Sequence, residues 1–175
     1  MHATCSVTVR KFEAHEFLIY RRLRLSALEE SPDAFSSTLA EEQSRTDDDW
    51  ASRLRAACDS GFDLPLIGYV GAEAAGLAWG KVDSSDGTIV NVYQMWVAPE
   101  YRSHGLARLL LQTIVAWATS LRARSVELGV VCDDSPAMRL YISEGFVPIG
   151  PVTLLRSGSM LMVQSLRRHI PQLAV

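Results

Sequence analysis

Val97-Ala98-Pro99-Glu100-Tyr101-Arg102-Ser103-His104-Gly105-Leu106-Ala107, running on into Arg108-Leu109-Leu110-Leu111, decides how the rest of the chain is arranged. Upstream, Thr88 to Val97 is dense in Ile, Val, Tyr and Trp, which suit a pleated, half-buried strand. Pro99 ends that strand because it has no N–H to give a ladder. Downstream, Leu106, Leu109, Leu110, Ile114, Trp117 and Leu121 recur at helical spacing and predict one helix over 106–122. Backbone N–H groups from Ser103 to Ala107 then sit at a helix N-terminus, where amide dipoles hold an anion such as a pyrophosphate. Gly105 and Ala107 add no bulk where a phosphate would approach, and Arg102 adds positive charge. No Gly-Lys-Ser/Thr follows, and the three glycines of a dinucleotide fingerprint are absent. A strand–turn–helix with an ordinary cap satisfies the same pattern.

Composition frames the rest. The chain has 175 residues, 48% apolar and 21% charged, which fits one globular domain over 1–175 with a substantial core. A net charge of −3 gives no nucleic-acid footprint. No apolar run is long enough to span a membrane, and the first residues lack a basic-then-apolar leader. Cys5, Cys58 and Cys132 are odd in number and widely spaced, as expected of free thiols in a reducing compartment, the cytoplasm by default. The four histidines (His2, His15, His104, His169) and the cysteines show no metal-ligand spacing, so no metal is expected. Cys132 reads as a small buried residue at a strand end.

In chain order, Met1 to Thr4 reads as a loose end and Ser6 to Arg10 as a strand. Phe17, Leu18, Tyr20, Leu23, Leu25 and Leu28 predict a helix over 13–30, broken by Ser31-Pro32. A second helix starts near Thr46-Asp47, with Trp50, Leu54 and Ala57 on its inner face. Gly61 to Pro65 reads as a loop. Leu66–Val70 and Ala75–Val82 are strands joined by a tight turn, and Ser84-Ser85-Asp86-Gly87 is a second turn. After the 106–122 helix, Val126 to Val131 reads as a buried strand. Asp134 or Ser135 caps a helix with Pro136 in its first turn and Gly145 at its end. Pro148 to Ser157 reads as a loop, Ser159 to Leu166 as a strand, and the tail from Arg167 as surface. Hairpins followed by strand–helix–strand predict an α+β fold, a mixed, mostly antiparallel sheet with helices on both faces (three layers, α/β/α).

Arg102-Ser103-His104-Gly105-Leu106-Ala107 resembles the Gln/Arg-x-x-Gly-x-Gly/Ala loop of the GNAT superfamily of N-acetyltransferases, and Met95 to Tyr101 resembles the strand entering it. Asp134-Ser135-Pro136-Ala137-Met138-Arg139-Leu140-Tyr141-Ile142-Ser143-Glu144-Gly145-Phe146 resembles that family's Asn-x-x-Ala-x-x-Leu-Tyr-x-x-x-Gly-Phe block. The similarity spans about residues 65 to 166, which implies an acetyl-coenzyme A-binding core there and an acceptor-side segment over about 13–60. It implies pyrophosphate contacts from Arg102, Ser103, His104, Gly105, Leu106, Ala107 and Arg108. It also implies main-chain contacts to the pantetheine arm from Met95, Trp96 and Val97, with Val130 to Cys132 on the facing side of a splayed sheet.

By the same resemblance, Tyr141 protonates the departing coenzyme A thiolate, although a packed aromatic fits the sequence as well. Asp134 stands where the family usually has Asn against pantetheine; as a carboxylate it can accept but not donate. His104 occupies a variable position and reads as solvent-exposed. Asn91 stands where some members carry a Glu base, and Asn takes no proton near neutral pH. Tyr93, Glu73 and Glu127 are nearby, and none is singled out.

The implied activity is acetyl transfer from acetyl-CoA to a primary amine. A protein N-terminus or lysine, or a non-catalytic coenzyme A-binding module, are the alternatives. No nucleic-acid or membrane partner is expected, and a homodimer is left open. Residues 29–59 carry nine acids (Glu29, Glu30, Asp33, Glu41, Glu42, Asp47, Asp48, Asp49, Asp59) against three arginines, a local balance of −6. An acidic wall attracts cations. Glu29, Glu30, Asp33 and Phe35 are therefore the expected acceptor contacts, for a small cationic amine, although a charge run is also what a solvated helix face looks like.

Overall fold

In the computed structural model, residues 6–172 are described; Met1 to Thr4, Cys5 and the last tail residues, 173–175, lie outside them. The elements are β1 (Val7–Lys11), α1 (Phe17–Glu30, entered by a 3-10 turn at Ala14–Glu16), α2 (Leu39–Gln43), α3 (Asp47–Asp59), β2 (Asp63–Val70), β3 (Glu73–Val82) and β4 (Ile89–Val97). They continue as α4 (Leu106–Ser120), β5 (Ser125–Val131), α5 (Pro136–Ser143), β6 (Val147–Leu154) and β7 (Met162–His169). One seven-stranded sheet runs in the order β1-β2-β3-β4-β5-β7-β6. Every pairing is antiparallel except β4 with β5, which α4 joins as a parallel crossover.

Each face of the sheet carries its own core. On one face α4 buries Leu106, Leu110, Leu111 and Ile114 against Leu66, Val90, Val126 and Leu166. Each such aliphatic side chain contributes about 1.5–3 kcal/mol by leaving water. On the other face α1 and α3 bury Tyr20, Leu23, Leu28, Trp50 and Leu54 against Ile67, Leu77, Trp79 and Trp96. Tyr20 is the hub, edge-on to Phe12 at 5.6 Å and to Trp50 at 5.3 Å. The expected inner face of α3, Trp50, Leu54 and Ala57, is buried as its spacing required.

The turns follow from local hydrogen bonding. Thr46 caps α3 by accepting from Asp49 N–H, while Asp49 returns a bond to Thr46 N–H. Asp83 Oδ1 accepts the N–H groups of Ser85 and Asp86, closing the β3–β4 hairpin.

Several boundaries differ from expectation. β2 begins at Asp63 and includes Pro65: β1 has already ended, with Lys11 opposite Leu66, so no partner needs a proline N–H, and the Pro65 carbonyl takes Phe12 N–H at 2.9 Å. Residues 148–154 are not a loop but continue β6 from Val147, an edge strand that tolerates Pro148 and Pro151 and bulges between Ile149 and Thr153. The last strand starts at Met162 and runs through Arg167 and Arg168 to His169. α2, held by a Thr38–Glu41 capping box, is too short to show a period. Leu18 and Leu121, counted among the apolar stripes, are exposed. Cys132 is exposed, not buried, because β5 stops at Val131 and the chain turns into solvent.

Candidate active site at the splay between β4 and β5

β4 and β5 pair only through Ile89–Ser125, Val90–Val126 and Asn91–Glu127. Beyond Asn91, β4 bulges: its register against β3 slips between Leu77 and Trp79, and Gln94 has φ 54°. A positive φ costs a non-glycine residue about 1 kcal/mol, so something must hold Gln94 in place. Tyr20 Oη donates to Gln94 Oε1 at 3.0 Å and does so from the buried hub of the α1 face. The bend sends β4 away while β5 stays paired with β7 as far as Val131–Val163. Between them opens a cavity of about 1210 Å³, with Val92 to Met95 on one wall and Leu128 to Val131 on the other. Trp96 and Val97 pair with Leu77 and Gly76 of β3, leaving their opposite edge without a strand. Such an edge can pair with an extended, amide-bearing arm as it would with a strand.

The loop after β4 supplies a different group. Ser103 (φ 67°) and Gly105 (φ 84°) both take left-handed backbone, and Gly105 is the N-cap of α4. A Cβ at Gly105 would meet nothing within 4 Å, so glycine is required there by conformation and not by space. Among the described residues no protein acceptor takes the N–H groups of Ser103, His104, Gly105, Leu106, Ala107 and Arg108; the helix ladder begins with Leu109 N–H to Gly105 O at 3.1 Å. Six consecutive N–H groups in the loop and first turn of α4 are left free, and free amides at a helix N-terminus favour an anion.

The nearby cations are already engaged. Arg102 donates from Nε to the Val97 carbonyl at 3.0 Å and pairs through Nη2 with Glu30 at 2.7 Å. Arg108 reaches across to Glu144 and to Ser143 Oγ on α5. His104 is exposed, with Nδ1 2.9 Å from the Arg102 carbonyl. The free groups of the loop are its amides.

α5 places Tyr141. Ser135, rather than Asp134, is its N-cap, accepting Met138 N–H at 3.1 Å, and Pro136 occupies the first turn. Gly145 (φ 84°) ends it: Gly145 N–H bonds Ile142 O and Phe146 N–H bonds Tyr141 O, both at 3.0 Å. Phe146 then packs on the Tyr141 ring, centroids 6.1 Å apart. Tyr141 is buried, lines the cavity, and its hydroxyl has no hydrogen-bond partner among the described residues. Burial pushes its pKa up to about 12, so the phenol keeps its proton. Asp134 points outward and pairs with Arg139 at 2.7 Å.

Of the residues considered as a base, only Tyr93 both lines the cavity and lacks a bonded partner among the described residues. Asn91 donates to Asp83 Oδ2 at 3.0 Å. The Glu127 carboxylate is taken by Arg167 at 2.6 Å. Burial raises the Tyr93 pKa, and Glu73 lines a separate groove beside Trp96 and Tyr101. Glu29 lines that groove too, Glu30 lines both, and Asp33 and Phe35 line the main cavity. Burial would raise the Glu30 pKa, but hydrogen bonds from Ser31, Trp96 and Arg102 hold it below the usual carboxylate range. Among the described residues no three His, Cys, Asp or Glu side chains stand together as a metal site, and no helix is long and apolar enough to cross a membrane.

Sequence reasoning missed Arg24, which lines the same cavity from α1. It is 2% exposed, lies over the Phe35 ring at 4.7 Å, and its Nε and Nη1 have no hydrogen-bond partner among the described residues. Its one sequence signal was an arginine at a position one turn after Tyr20, on the helix face that proves to be buried.

A model of the acetyltransferase (GNAT) family matches residues 24–146. The chain belongs to the GNAT family of acetyltransferases. It is 30% identical over 136 residues to a mycothiol acetyltransferase of Pseudarthrobacter chlorophenolicus, a match covering 73% of this chain but only 40% of that protein. In fold it resembles yncA, a Salmonella typhimurium acetyltransferase solved with acetyl-CoA (TM-score 0.79, 17% identity, 97% of each chain). It also resembles a Vibrio cholerae spermidine N-acetyltransferase solved with CoA and spermine (TM-score 0.75, 16% identity, 93% of this chain and 95% of that one). The mixed seven-stranded sheet is thus the GNAT fold.

Proposed function

We propose that the chain transfers the acetyl group of acetyl-CoA to the primary amine of a small molecule, by direct attack in a ternary complex. One observation carries this reading: the free N–H run of 103–108, the unpaired edges of β4 and β5, and the Tyr141 hydroxyl follow one another along one GNAT core. The pyrophosphate is held by the loop amides, with Arg102 beside them. The pantetheine arm pairs with the backbone of Met95, Trp96 and Val97, and Tyr141 donates to sulfur as the C–S bond breaks. Asp134, exposed and paired with Arg139, is the weakest member of the cofactor set. The amine loses its proton to water in the open cavity before attack, since the nearby carboxylates are engaged.

A small amine suits a site enclosed between α1, β4 and β5, and a spermidine acetyltransferase among the fold neighbours fits that size class. The sequence-based preference for a purely cationic amine has less support. Glu30 is paired with Arg102, Asp33 lies 3.9 Å from Arg156, and Arg24, Arg53 and Lys81 share the cavity wall. The test is thiol release from acetyl-CoA across a panel of amines, with acetyl-CoA affinity measured separately. Turnover of at least one small amine is expected. Tight binding with no turnover on any amine or peptide would leave a coenzyme A-binding module.

A further inference from the structure

Glu42 is a buried carboxylate on α2, within the acceptor-side segment, and three guanidiniums converge on it. Arg45 Nε reaches it at 2.8 Å, Arg53 Nη1 at 3.2 Å, and Arg24 Nη2 only at 3.9 Å, beyond hydrogen-bond reach. Arg45 and Arg53 take the oxygens of Glu42, so Arg24 is a buried cation without a bonded counter-ion. A fully buried, unpaired charge is strongly disfavoured unless something completes it. Among the described residues no other side chain bonds it. Asp63, a buried acid on the cavity wall, is taken by Trp79 Nε1 at 2.8 Å, Ser60 Oγ at 3.0 Å and Lys81 at 3.1 Å.

We propose that Arg24, with Arg53 beside it, is a carboxylate subsite at the acceptor end of the cavity, so that the acceptor is an amino acid rather than a polyamine. This rests on the acetyl-transfer reading above. The guanidinium lies over Phe35 and none of its nitrogens makes a hydrogen bond among the described residues; a guanidinium offers a carboxylate two parallel bonds from Nε and Nη2 or from Nη1 and Nη2. Its place in the fold also fits. Tyr20 and Arg24 are four residues apart on one face of α1, about 6 Å along the axis. The Tyr20 hydroxyl touches Gln94 at the bulge where the splay opens. Arg24 thus lines the same cavity as Gln94, the Leu128–Val131 wall and Tyr141.

The test begins with the wild-type protein and needs no variant to fold. Matched sets are compared by thiol release: an amino acid, its carboxamide and its decarboxylated amine, with spermidine as the cationic extreme. Hydrogen bonds to a charged group are worth about 10–150-fold, and the expected advantage of the free acid over the amide lies in that range, mostly in KM. Arg24→Gln should raise KM for the amino acid and bring the acid-to-amide ratio toward one; melting temperature and acetyl-CoA affinity confirm that the variant is folded. Arg24→Lys should restore part of the preference. Wild-type turnover of spermidine or amides equal to or better than that of the acids would overturn the subsite and leave the acetyl-transfer reading standing. So would a folded Arg24→Gln that keeps the acid preference. No turnover of any amine with acetyl-CoA bound would overturn that reading, and the subsite with it.

Discussion

Tyr141→Phe separates hydrogen-bond donation from full proton transfer. The structure places the phenol in the cavity with no protein partner and with its pKa pushed up to about 12 by burial. A thiol titrates near 8.5, so moving the phenol proton onto a free thiolate runs uphill by about 3.5 pK units, roughly 5 kcal/mol. A committed general acid contributes about 10²–10⁴-fold, but this tyrosine is too weak an acid for the upper part of that range. Its contribution is a charged hydrogen bond to sulfur as the C–S bond breaks, about 1.5–3 kcal/mol, or about 10–150-fold in kcat. The variant loses little else. The ring still packs on Phe146, and the hydroxyl gives up no bond to the protein, so melting temperature and acetyl-CoA affinity should hold.

Steady-state kinetics with a burst measurement, to establish that chemistry limits the rate, reads this directly. An unchanged kcat in a chemistry-limited reaction would show that Tyr141 only packs. A loss well beyond about 150-fold would show that the hydrogen-bond account is too small. The pH profile gives an independent check. Tyr141 keeps its proton until pH approaches about 12, so it should put no alkaline limb on kcat below about pH 10. A fall near pH 8–9 in the wild type that vanishes in Tyr141→Phe would contradict the assignment.

Other expectations follow from single contacts. Gly105→Glu sets a carboxylate among the unpartnered amides and strains a φ of 84°; acetyl-CoA binding measured by calorimetry should be lost in a folded protein. Glu42→Gln removes the one carboxylate that three arginines share, which should cost about 3–5 kcal/mol, and a melting temperature lower by roughly 6–20 °C is expected. In Gly76→Ala the new Cβ would stand 2.7 Å from the Trp96 carbonyl oxygen, so β3 and β4 must part; about 1–3 kcal/mol of destabilisation is expected, with a raised KM for acetyl-CoA because Trp96 borders the splay.

What the chain revealed in advance was local in origin. The β4–loop–α4 unit was legible because a β-rich run, Pro99 and a helical apolar stripe each signal through residues close in sequence. The same holds for α3, whose Thr46 cap and Trp50–Leu54–Ala57 stripe lie within a few turns of each other. β6 was not legible. Pro148, Gly150 and Pro151 argue for a loop unless the strand lies at an edge, and edge position is a property of the whole sheet. Pro65 misled for a related reason: whether its missing N–H matters depends on where β1 stops, more than fifty residues away in sequence. The bulge at Gln94 left no signal at all, since its support is the hydroxyl of Tyr20 on another element.

Charge was the least legible property of the site, and the reason is physical. A balance of −6 over residues 29–59 treats each carboxylate as free, but ion pairs join segments that are distant in sequence. Glu30 is answered by Arg102, Asp47 by Arg21 and Glu42 by arginines on α3 and the turn after α2. Such pairs cancel much of the field that a linear count assigns to the cavity. What remains there is set by the group that lacks a partner, because a buried ion is screened least and its neighbours cannot turn toward it as water would. That group is Arg24, which belongs to the first helix and was outside the acidic segment altogether. An acceptor is therefore better inferred from the unpaired member of a charge cluster than from the sign of the segment that carries it.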